Sequence, residues 1–353
     1  MTVVFAILLF SFLIFIHELG HFVTAKLSGV QVNEFALFMS PAIFKKQVGE
    51  TLYSLRCIPF GGYCAMEGED NDTDNPRSFQ KAKWWKRLII LLAGAFMNLV
   101  AGYLLIAIAF APLEKLDTPV ISEAEPGCTI VYDGGMQVGD RILEVDGYTV
   151  FTSSDFSMIL SVQGGDTHDI VVERDGKKVY LNDFKMETHI FTDEQGNESE
   201  RYGILLGMEE GNLLNTLKYS LNTSCSVVQS VFLSLKMLVT GQASLSQVSG
   251  PVGIVQIMSE TADSAGSTLG ALLNLLYFGG FIGINLAVMN LLPIPALDGG
   301  RAVCLLLTTG YEKITKKKIN PKYEGYLHGA GMILLLAFMA LILFKDVFQI
   351  FTR

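Results

Sequence analysis

Charge is missing from the first sixteen residues of this 353-residue chain, MTVVFAILLFSFLIFI. A secretory signal would carry a basic segment before its apolar run and small residues at a cleavage site, and neither is present. The helical pattern continues instead to Lys26. We therefore expect a retained membrane helix rather than a signal peptide.

Paired cysteines are also missing. The five cysteines are scattered and form no CxxC motif: Cys57, Cys64, Cys128, Cys225 and Cys304. An odd set without close pairs indicates neither a disulfide framework nor a thiolate zinc site. The sequence shows no internal repeat, no phosphate-binding glycine loop and no nucleic-acid motif, so we expect no nucleic-acid partner.

Long apolar stretches are abundant, since half of the residues are hydrophobic. Four of them cover residues 1 to about 27, 88–111, 269–292 and 327–344. The last three are each near the twenty or so residues that cross a bilayer as a helix. The sequence therefore predicts a polytopic α-helical membrane protein with four transmembrane helices in contact with lipid.

Basic residues are scarce in one long segment. Residues 111–267 contain nine Lys and Arg against twenty-three Asp and Glu, whereas residues 301–322 contain six against one. Because Lys and Arg concentrate in short cytoplasmic loops, we expect 26–87 and 301–322 in the cytoplasm and 111–267 outside, with both termini also outside. The lysine-rich run 313–322 is interpreted as a solvated loop beside lipid rather than a specific partner site.

Residues 213–239 allow two interpretations. The segment is moderately apolar, but Lys218, Lys236 and many Ser, Thr and Asn residues interrupt it. It could be a fifth crossing or an amphipathic helix on the outer membrane surface, and the interruptions favour the surface helix.

An HExxH motif stands at the end of the first apolar run, in FIHELGHFVTAK, residues 15–26. On a helix, His17 and His21 project from one face and can share a metal ion, and Glu18 beside them can take a proton from water. Two buried histidines satisfied by their neighbours would be the structural alternative. Ionisable residues inside a membrane helix are costly, however, and usually mark function.

A catalytic zinc needs a third protein ligand. Three further histidines are poor candidates, because two lie in the acidic segment and one begins the last apolar stretch: His168, His189 and His328. The run NLAVMNLLPIPALDGGR, residues 285–301, offers Asp298, the only carboxylate between Asp263 and Glu312. Its prolines would break the helix, and broken backbone at membrane depth is tolerated where it lines a cavity. Alternatively, these residues only form the turn that ends a helix.

The predicted topology connects these segments. With the N-terminus outside, His17 and His21 lie towards the cytoplasmic end of the first helix, and Asp298 lies at the cytoplasmic end of the third. A fifth crossing at 213–239 would move Asp298 to the opposite leaflet. The surface-helix interpretation and the assignment of Asp298 as a ligand therefore depend on each other.

Together, HELGH at 17–21 and NLLPIPALDG at 290–299 resemble the site-2 protease family of intramembrane zinc metalloproteases. More narrowly, the chain resembles the bacterial regulator-of-sigma-factor proteases. Residues 49–70 resemble the family's membrane-associated β-hairpin region, and residues 249–254, SGPVGI, resemble its run before the third helix. FALFMSPAIF at 35–44 departs from relatives that often carry glycines there, which leaves the shape of this loop open.

The resemblance implies Zn²⁺ as the cofactor, with Glu18 as the general base. It implies three zinc ligands: His17, His21 and Asp298. It also implies three residues that help to hold substrate: Asn290, Pro293 and Pro295. The expected enzyme is a zinc metalloendopeptidase in a bacterial plasma membrane, with its active site towards the cytoplasm. Its implied substrates are single-pass membrane proteins, such as an anti-sigma factor or a signal-peptide remnant.

Residues 53–66 alternate in the manner of strands, with Gly61 and Gly62 at a turn or bulge. A strand edge near the active site could pair with the backbone of an opened substrate helix. A plain connecting hairpin is the alternative.

Residues 118–190 contain short strands and turns, including a hairpin predicted at Asp175-Gly176 within 170–184. A strand after Gly139-Asp140 and a short capped helix complete a pattern that resembles a PDZ domain. Such a domain either binds an extended peptide beside a strand or only restricts access, and the sequence leaves both open.

The sequence thus predicts eight segments. They are membrane helix 1 at 1–27, a cytoplasmic β-hairpin loop at 28–87, membrane helix 2 at 88–111, an extracytoplasmic PDZ-like α+β domain at 112–190, a linker with a surface helix at 191–267, membrane helix 3 at 268–300, a basic loop at 301–325 and membrane helix 4 at 326–345.

Two other functions deserve comparison with proteolysis. A non-proteolytic scaffold or chaperone would be favoured by loss of Glu18 or Asp298, and both are present. A metal transporter is conceivable because intramembrane His and Asp also line ion paths. One HExxH motif with a distant Asp and an outer peptide-binding type of domain fits hydrolysis better.

Overall fold

A computed structural model describes residues 2–69, 73–132, 134–192, 198–244, 250–317 and 321–352. The chain forms two compact units, one from Met1–Ile106 with Gly241–Arg353 and one from Ala107–Thr240. Ser249 of the SGPVGI run and residues 318–320 of the lysine-rich run lie outside the described residues.

Eight α-helices are present in the described part of the chain. They are α1 (Thr2–Ser28), α2 (Trp84–Phe110), α3 (Ser153–Gln163), α4 (Leu213–Thr240), α5 (Pro251–Asp263), α6 (Thr268–Leu291), α7 (Asp298–Thr315) and α8 (Pro321–Thr352). Among the described residues, five of these are long and apolar enough to cross a membrane: α1, α2, α4, α6 and α8. Four of the five coincide closely with the predicted apolar stretches, and α4 has the lowest mean hydropathy of the five.

Helices α1, α2 and α6 approach closely where glycine faces a neighbouring backbone. A Cβ on Gly20 of α1 would lie 2.5 Å from the carbonyl oxygen of Ala93 in α2. A Cβ on Gly102 of α2 would lie 2.8 Å from the carbonyl oxygen of Gly280 in α6, and the reverse distance is 2.7 Å. Small residues at helix crossings allow this close van der Waals packing, which drives association in lipid.

The predicted β-hairpin consists of β1 (Val32–Val48) and β2 (Thr51–Met66), both of which bend. Residues 34–37 lie between two segments of β2 and pair with both. They pair with 62–65 in antiparallel direction and with 52–55 in parallel direction. Residues 44–48 then pair with 51–55 in antiparallel register. In the described residues, segment 62–65 pairs with no strand segment other than 34–37, and its other edge, which has no strand partner, is called the free edge below.

Glu50, in the turn of this hairpin, accepts hydrogen bonds from two basic side chains outside the hairpin. Lys26 at the end of α1 donates to Glu50 Oε1 at 2.7 Å, and Arg77 donates to both carboxylate oxygens at 2.7 and 2.8 Å. These hydrogen bonds from Arg77 and Lys26 lower the pKa of Glu50 to about 2. The turn is thereby held to α1 and to the segment that precedes α2.

The second unit is built on a sheet with the strand order β10-β3-β4-β6-β7, with β5 paired to β4. Its strands are β3 (Lys115–Ala124), β4 (Arg141–Val145), β5 (Tyr148–Thr149), β6 (Thr167–Arg174), β7 (Lys177–Lys185) and β10 (Ile204–Glu210). A separate pair is formed by β8 (His189–Thr192) and β9 (Glu198–Arg201). The hairpin predicted at Asp175-Gly176 is present, with both residues at positive φ.

Helix α4 packs on the sheet unit through hydrogen bonds from its C-terminal half. Ser226 donates to the carboxylate of Asp155 in α3. Gln229 donates to the Thr149 carbonyl oxygen at 2.9 Å, and the Lys236 ammonium lies 2.8 Å from the Tyr148 hydroxyl. The polar residues that interrupt this segment thus lie partly on a protein surface.

The segment predicted as membrane helix 3, residues 268–300, is interrupted near its prolines. Helix α6 ends at Leu291, a turn follows, and α7 begins at Asp298 and occupies much of the expected loop 301–325. Helix α7 forms because one side of it is anchored: Ala302 and Leu305 are buried in a cluster with Ile90 of α2. Charge alone did not indicate this buried face.

Glu50→Gln should slightly lower the melting temperature at pH 7, and the difference from wild type should vanish on acidification. The folded-state pKa lies below the ordinary carboxyl value of 4.5, so the carboxylate stabilises the fold above about pH 4.5 and loses this effect as pH falls towards 2. Thermal unfolding in detergent between pH 3 and pH 7 measures it. An equal difference at all pH values would show that charge is not the cause.

Candidate metal centre

His17 and His21 face each other one helical turn apart on α1. Their Nε2 atoms are 3.2 Å apart. Oδ2 of Asp298 lies 3.1 Å from Nε2 of His17 and 3.3 Å from Nε2 of His21. The structure therefore brings together the three residues that the sequence predicted as ligands, although more than 270 positions separate His21 from Asp298.

These three atoms fit a tetrahedral zinc ion. Ligand atoms about 2.0–2.2 Å from zinc stand about 3.3 Å apart at tetrahedral angles, close to the separations observed. Oδ2 of Asp298 is buried and, among the described residues, accepts no hydrogen bond of acceptable geometry. A carboxylate oxygen this close to two imidazole nitrogens completes a set of donor atoms suited to a cation. Two histidines and one carboxylate also leave a fourth position open for catalysis.

The imidazole of His21 is oriented by the backbone of α2. Its Nδ1 lies 2.8 Å from the carbonyl oxygen of Ile90. Because a carbonyl only accepts, Nδ1 carries the proton and Nε2 presents its lone pair to the other ligand atoms. The ring is thus held in the tautomer that binds metal.

Two amide side chains lie beside Nδ1 of His17. The side-chain nitrogens of Asn98 and Asn290 are 3.4 and 3.5 Å from it. Oxygen and nitrogen of such amides are assigned from the hydrogen-bond network, so either group can present its oxygen to an Nδ1 proton. Asn290, predicted to hold substrate, thus lies within reach of the His17 imidazole.

Gly94 of α2 provides the space that this centre occupies. A Cβ at this position would lie 2.4 Å from Nε2 of His21 and 2.8 Å from Nε2 of His17. Real carbon atoms do not approach nitrogen so closely. Any side chain at Gly94 would therefore displace the imidazoles.

The turn before Asp298 folds back tightly because two glycines follow. A Cβ on Gly299 would lie 2.3 Å from the carbonyl oxygen of Leu291, and a Cβ on Gly300 would lie 2.2 Å from that of Ile294. Pro293 and Pro295 are in this turn, with Pro293 exposed and Pro295 half-buried. The predicted break in the helix is present, and it sets Asp298 as the first residue of α7.

Glu18 lies next to the free strand edge of the hairpin. The backbone amide of Cys64 hydrogen-bonds to its carboxylate. A Cβ on Gly62 would lie 3.3 Å from Cγ of Glu18 and 3.1 Å from the carbonyl oxygen of Ala36. Gly62 thus lets the strand approach α1, and Gly61 adopts a φ of 77° where the strand bends.

Sequence reasoning missed Gly94 and Asn98. Asn98 is 1% exposed and stands in an otherwise apolar helix, which is the signal that could have identified it, because polar side chains within the membrane usually mark function. Gly94 gave no such signal, since glycine is frequent in membrane helices.

Comparison with known proteins identifies the family of the chain. Residues 5–338 match the model of peptidase family M50. The chain is 36% identical over 351 residues to a protein of Clostridium perfringens, covering 98% of each chain. It is 26% identical to the zinc metalloprotease RasP of Shouchella clausii, covering 98% of each, and 25% identical to the regulator of sigma-W protease RasP of Bacillus subtilis, covering 99% of each.

The long apolar helices and this set of groups define a membrane zinc metalloprotease. The chain belongs to peptidase family M50, the site-2 proteases, and its cofactor is Zn²⁺. It is a bacterial membrane protein, and the protease is of the intramembrane type.

Gly94→Ala should abolish zinc binding, because the added methyl group overlaps both imidazoles. Zinc content of the purified protein should fall from about one ion per chain to near zero. Gly310→Ala is the matched control, since a Cβ there meets open space in the same unit. Normal zinc content in a folded Gly94→Ala protein would contradict the assigned geometry.

Proposed function

We propose that His17, His21 and Asp298 hold the zinc ion while Glu18 acts as general base. The reaction is hydrolysis of a peptide bond within the transmembrane segment of a single-pass membrane protein. The observation that carries this proposal is the convergence of three ligand atoms within 4.8 Å of one another.

When bound, the zinc ion supplies Lewis acidity that activates water and polarises the scissile carbonyl. The Glu18 carboxylate takes a proton from the attacking water, whose oxygen joins the carbonyl carbon. Glu18 then delivers that proton to the leaving nitrogen as the C–N bond breaks, so that one water is consumed per cleavage. The hydrogen bond from Cys64 keeps the carboxylate oriented during both transfers.

The free edge at 62–65 is the proposed docking site for the substrate backbone. A helical peptide bond is hydrogen-bonded within its own helix, so the substrate must open locally before water reaches its carbonyl. Backbone groups of Gly61 and Gly62 then replace the lost hydrogen bonds by strand pairing. Pro293 and Pro295 shape the facing turn, and Asn290 extends the site beside His17.

Four membrane crossings remain our proposal, with α4 on the outer surface. Ser226, Gln229 and Lys236 hydrogen-bond to the sheet unit, so that part of α4 is not surrounded by lipid. Residues 213–225 that remain are too few, because a crossing helix needs about twenty residues. An odd number of crossings between α2 and α6 would also separate Asp298 from the histidines.

This topology places the termini and residues 112–267 outside and the active site towards the cytoplasm. The proposed substrates are anti-sigma-factor-like proteins and signal-peptide remnants. The Bacillus subtilis relative, named as a regulator of sigma-W protease, supports the first class. The short cytoplasmic segments rich in Lys and Arg support the orientation.

The sheet unit is proposed to be a PDZ-like domain with a peptide groove between β10 and α3. Strand β10 is at the end of the sheet order, so one of its edges is open in the described chain. Beside it, Tyr202 and Phe156 of α3 pack with ring centroids 6.4 Å apart. A peptide adding to β10 would place alternate side chains against α3. A purely steric role would require no such binding.

Glu18→Gln should retain zinc and lose cleavage of a tagged single-pass substrate by about 10²-fold or more, because only the proton acceptor is removed. Glu260→Gln, an exposed change in the same unit, should cleave normally. Equal cleavage by Glu18→Gln and wild type would refute the general-base role. Metal flux into vesicles that survives Glu18→Gln would favour a transporter instead.

Single cysteines at Asn212 and Gln242, which flank α4, should both react with an impermeant maleimide in intact cells from which the native cysteines are removed. Both positions are exposed. A cysteine at Lys46 in the hairpin should react only after lysis. Protection of Gln242 alone would show that α4 crosses the membrane.

A further inference from the structure

The turn that delivers Asp298 is contacted by the last helix. The backbone N–H of Ala296 donates to Nδ1 of His328 on α8, with a nitrogen–nitrogen distance of 3.1 Å. Ala296 stands two residues before Asp298. His328 thus reaches the backbone of the turn immediately ahead of the carboxylate.

Ala296 adopts an uncommon backbone conformation, with a φ of 81°. Side chains with a Cβ are disfavoured in this region, and they persist there only when the surroundings hold them. The neighbouring amides are bonded within the turn: Ile294 donates to Leu292 at 2.7 Å, and Leu297 donates to Ile294 at 3.1 Å. The imidazole of His328 accepts the N–H of Ala296, which lies between them in the chain.

A second contact lies one turn further along the same face of α8. A Cβ on Gly331 would be 2.5 Å from Cβ of Pro295 and 2.6 Å from its carbonyl oxygen. Gly331 therefore lets Pro295 press directly on the helix while His328 bonds the next residue. The two contacts hold both sides of the Pro295–Ala296 peptide against α8.

We propose that His328 is a positioning residue for the metal centre. By accepting the Ala296 N–H, its Nδ1 holds the strained turn and so sets the direction in which α7 presents the Asp298 carboxylate. This role requires the tautomer with the proton on Nε2. The inference rests on the proposed function, because it takes Asp298 to be a zinc ligand.

The test is the zinc affinity of the detergent-solubilised full chain, measured by competition with a chromogenic chelator, together with the visible spectrum of the Co²⁺-substituted protein. His328→Ala should weaken zinc binding about tenfold, the lower end of what loss of an outer-shell partner costs a metal site. Its Co²⁺ spectrum should change, because the carboxylate moves relative to the imidazoles.

His328→Asn should restore affinity to within about twofold of wild type, because the amide oxygen of Asn stands near the position of Nδ1 and can accept the same N–H. Tyr326→Ala is the matched control on α8, since Tyr326 is 73% exposed. A loss caused merely by poorer folding of α8 would not be rescued by Asn.

The Ala296→Gly variant tests independently whether His328 acts through the backbone conformation of residue 296. Glycine adopts positive φ without strain, so the turn should depend less on its hydrogen bond. His328→Ala in this background should weaken zinc binding by less than about threefold. An undiminished tenfold loss would overturn the link between His328 and the strained residue.

Asp298→Ala separates this inference from the proposed function. Loss of zinc in Asp298→Ala with unchanged affinity and spectrum in His328→Ala would overturn the positioning role alone. Normal zinc affinity in Asp298→Ala would overturn the ligand assignment itself. Loss in both variants, with rescue by Asn at 328, is the expected result.

Discussion

Close approach between helices, made possible by glycine, is the condition on which the metal centre depends. Apolar side chains gain little by leaving lipid for another apolar surface, so membrane helices associate through tight packing. Gly20 allows α1 to touch the backbone of α2 at Ala93, and the adjacent Gly94 leaves the space into which the imidazoles of α1 project. The carbonyl of Ile90 then comes within reach of His21. The crossing of α1 and α2 thus accounts for the positions of His17 and His21, for the space around their imidazoles and for the tautomer of His21.

Local chemistry made part of this arrangement predictable. His17, Glu18 and His21 could be predicted as a candidate metal site because helical spacing alone puts both imidazoles on one face. Asp298 was identifiable because carboxylates are rare in apolar segments, and because the charge asymmetry of the loops assigned it to the same side of the membrane. The turns at Asp175 and Gly176 followed from backbone preferences that need no tertiary contact.

Other features depend on contacts between distant parts of the chain, and no local pattern reports them. Gly94 matters only because α1 lies opposite, and α7 forms in a basic segment because Ala302 and Leu305 are buried near Ile90. The double pairing of residues 34–37 needs both halves of a bent hairpin. Each of these features results from packing between distant segments, which composition does not report. The sequence therefore indicated the proposed ligands more readily than the residues that position them.

The proposed ligands are far apart in the chain, since His17 and His21 lie on α1 and Asp298 opens α7. A zinc ion held by the proposed ligands would therefore connect two distant segments of the chain, α1 and the start of α7. Because such a site exists only in the folded chain, zinc binding would raise the free energy of unfolding and couple metal affinity to stability. The zinc ion would thus stabilise the tertiary fold as well as take part in the chemistry, and zinc starvation of cells would lower both stability and activity.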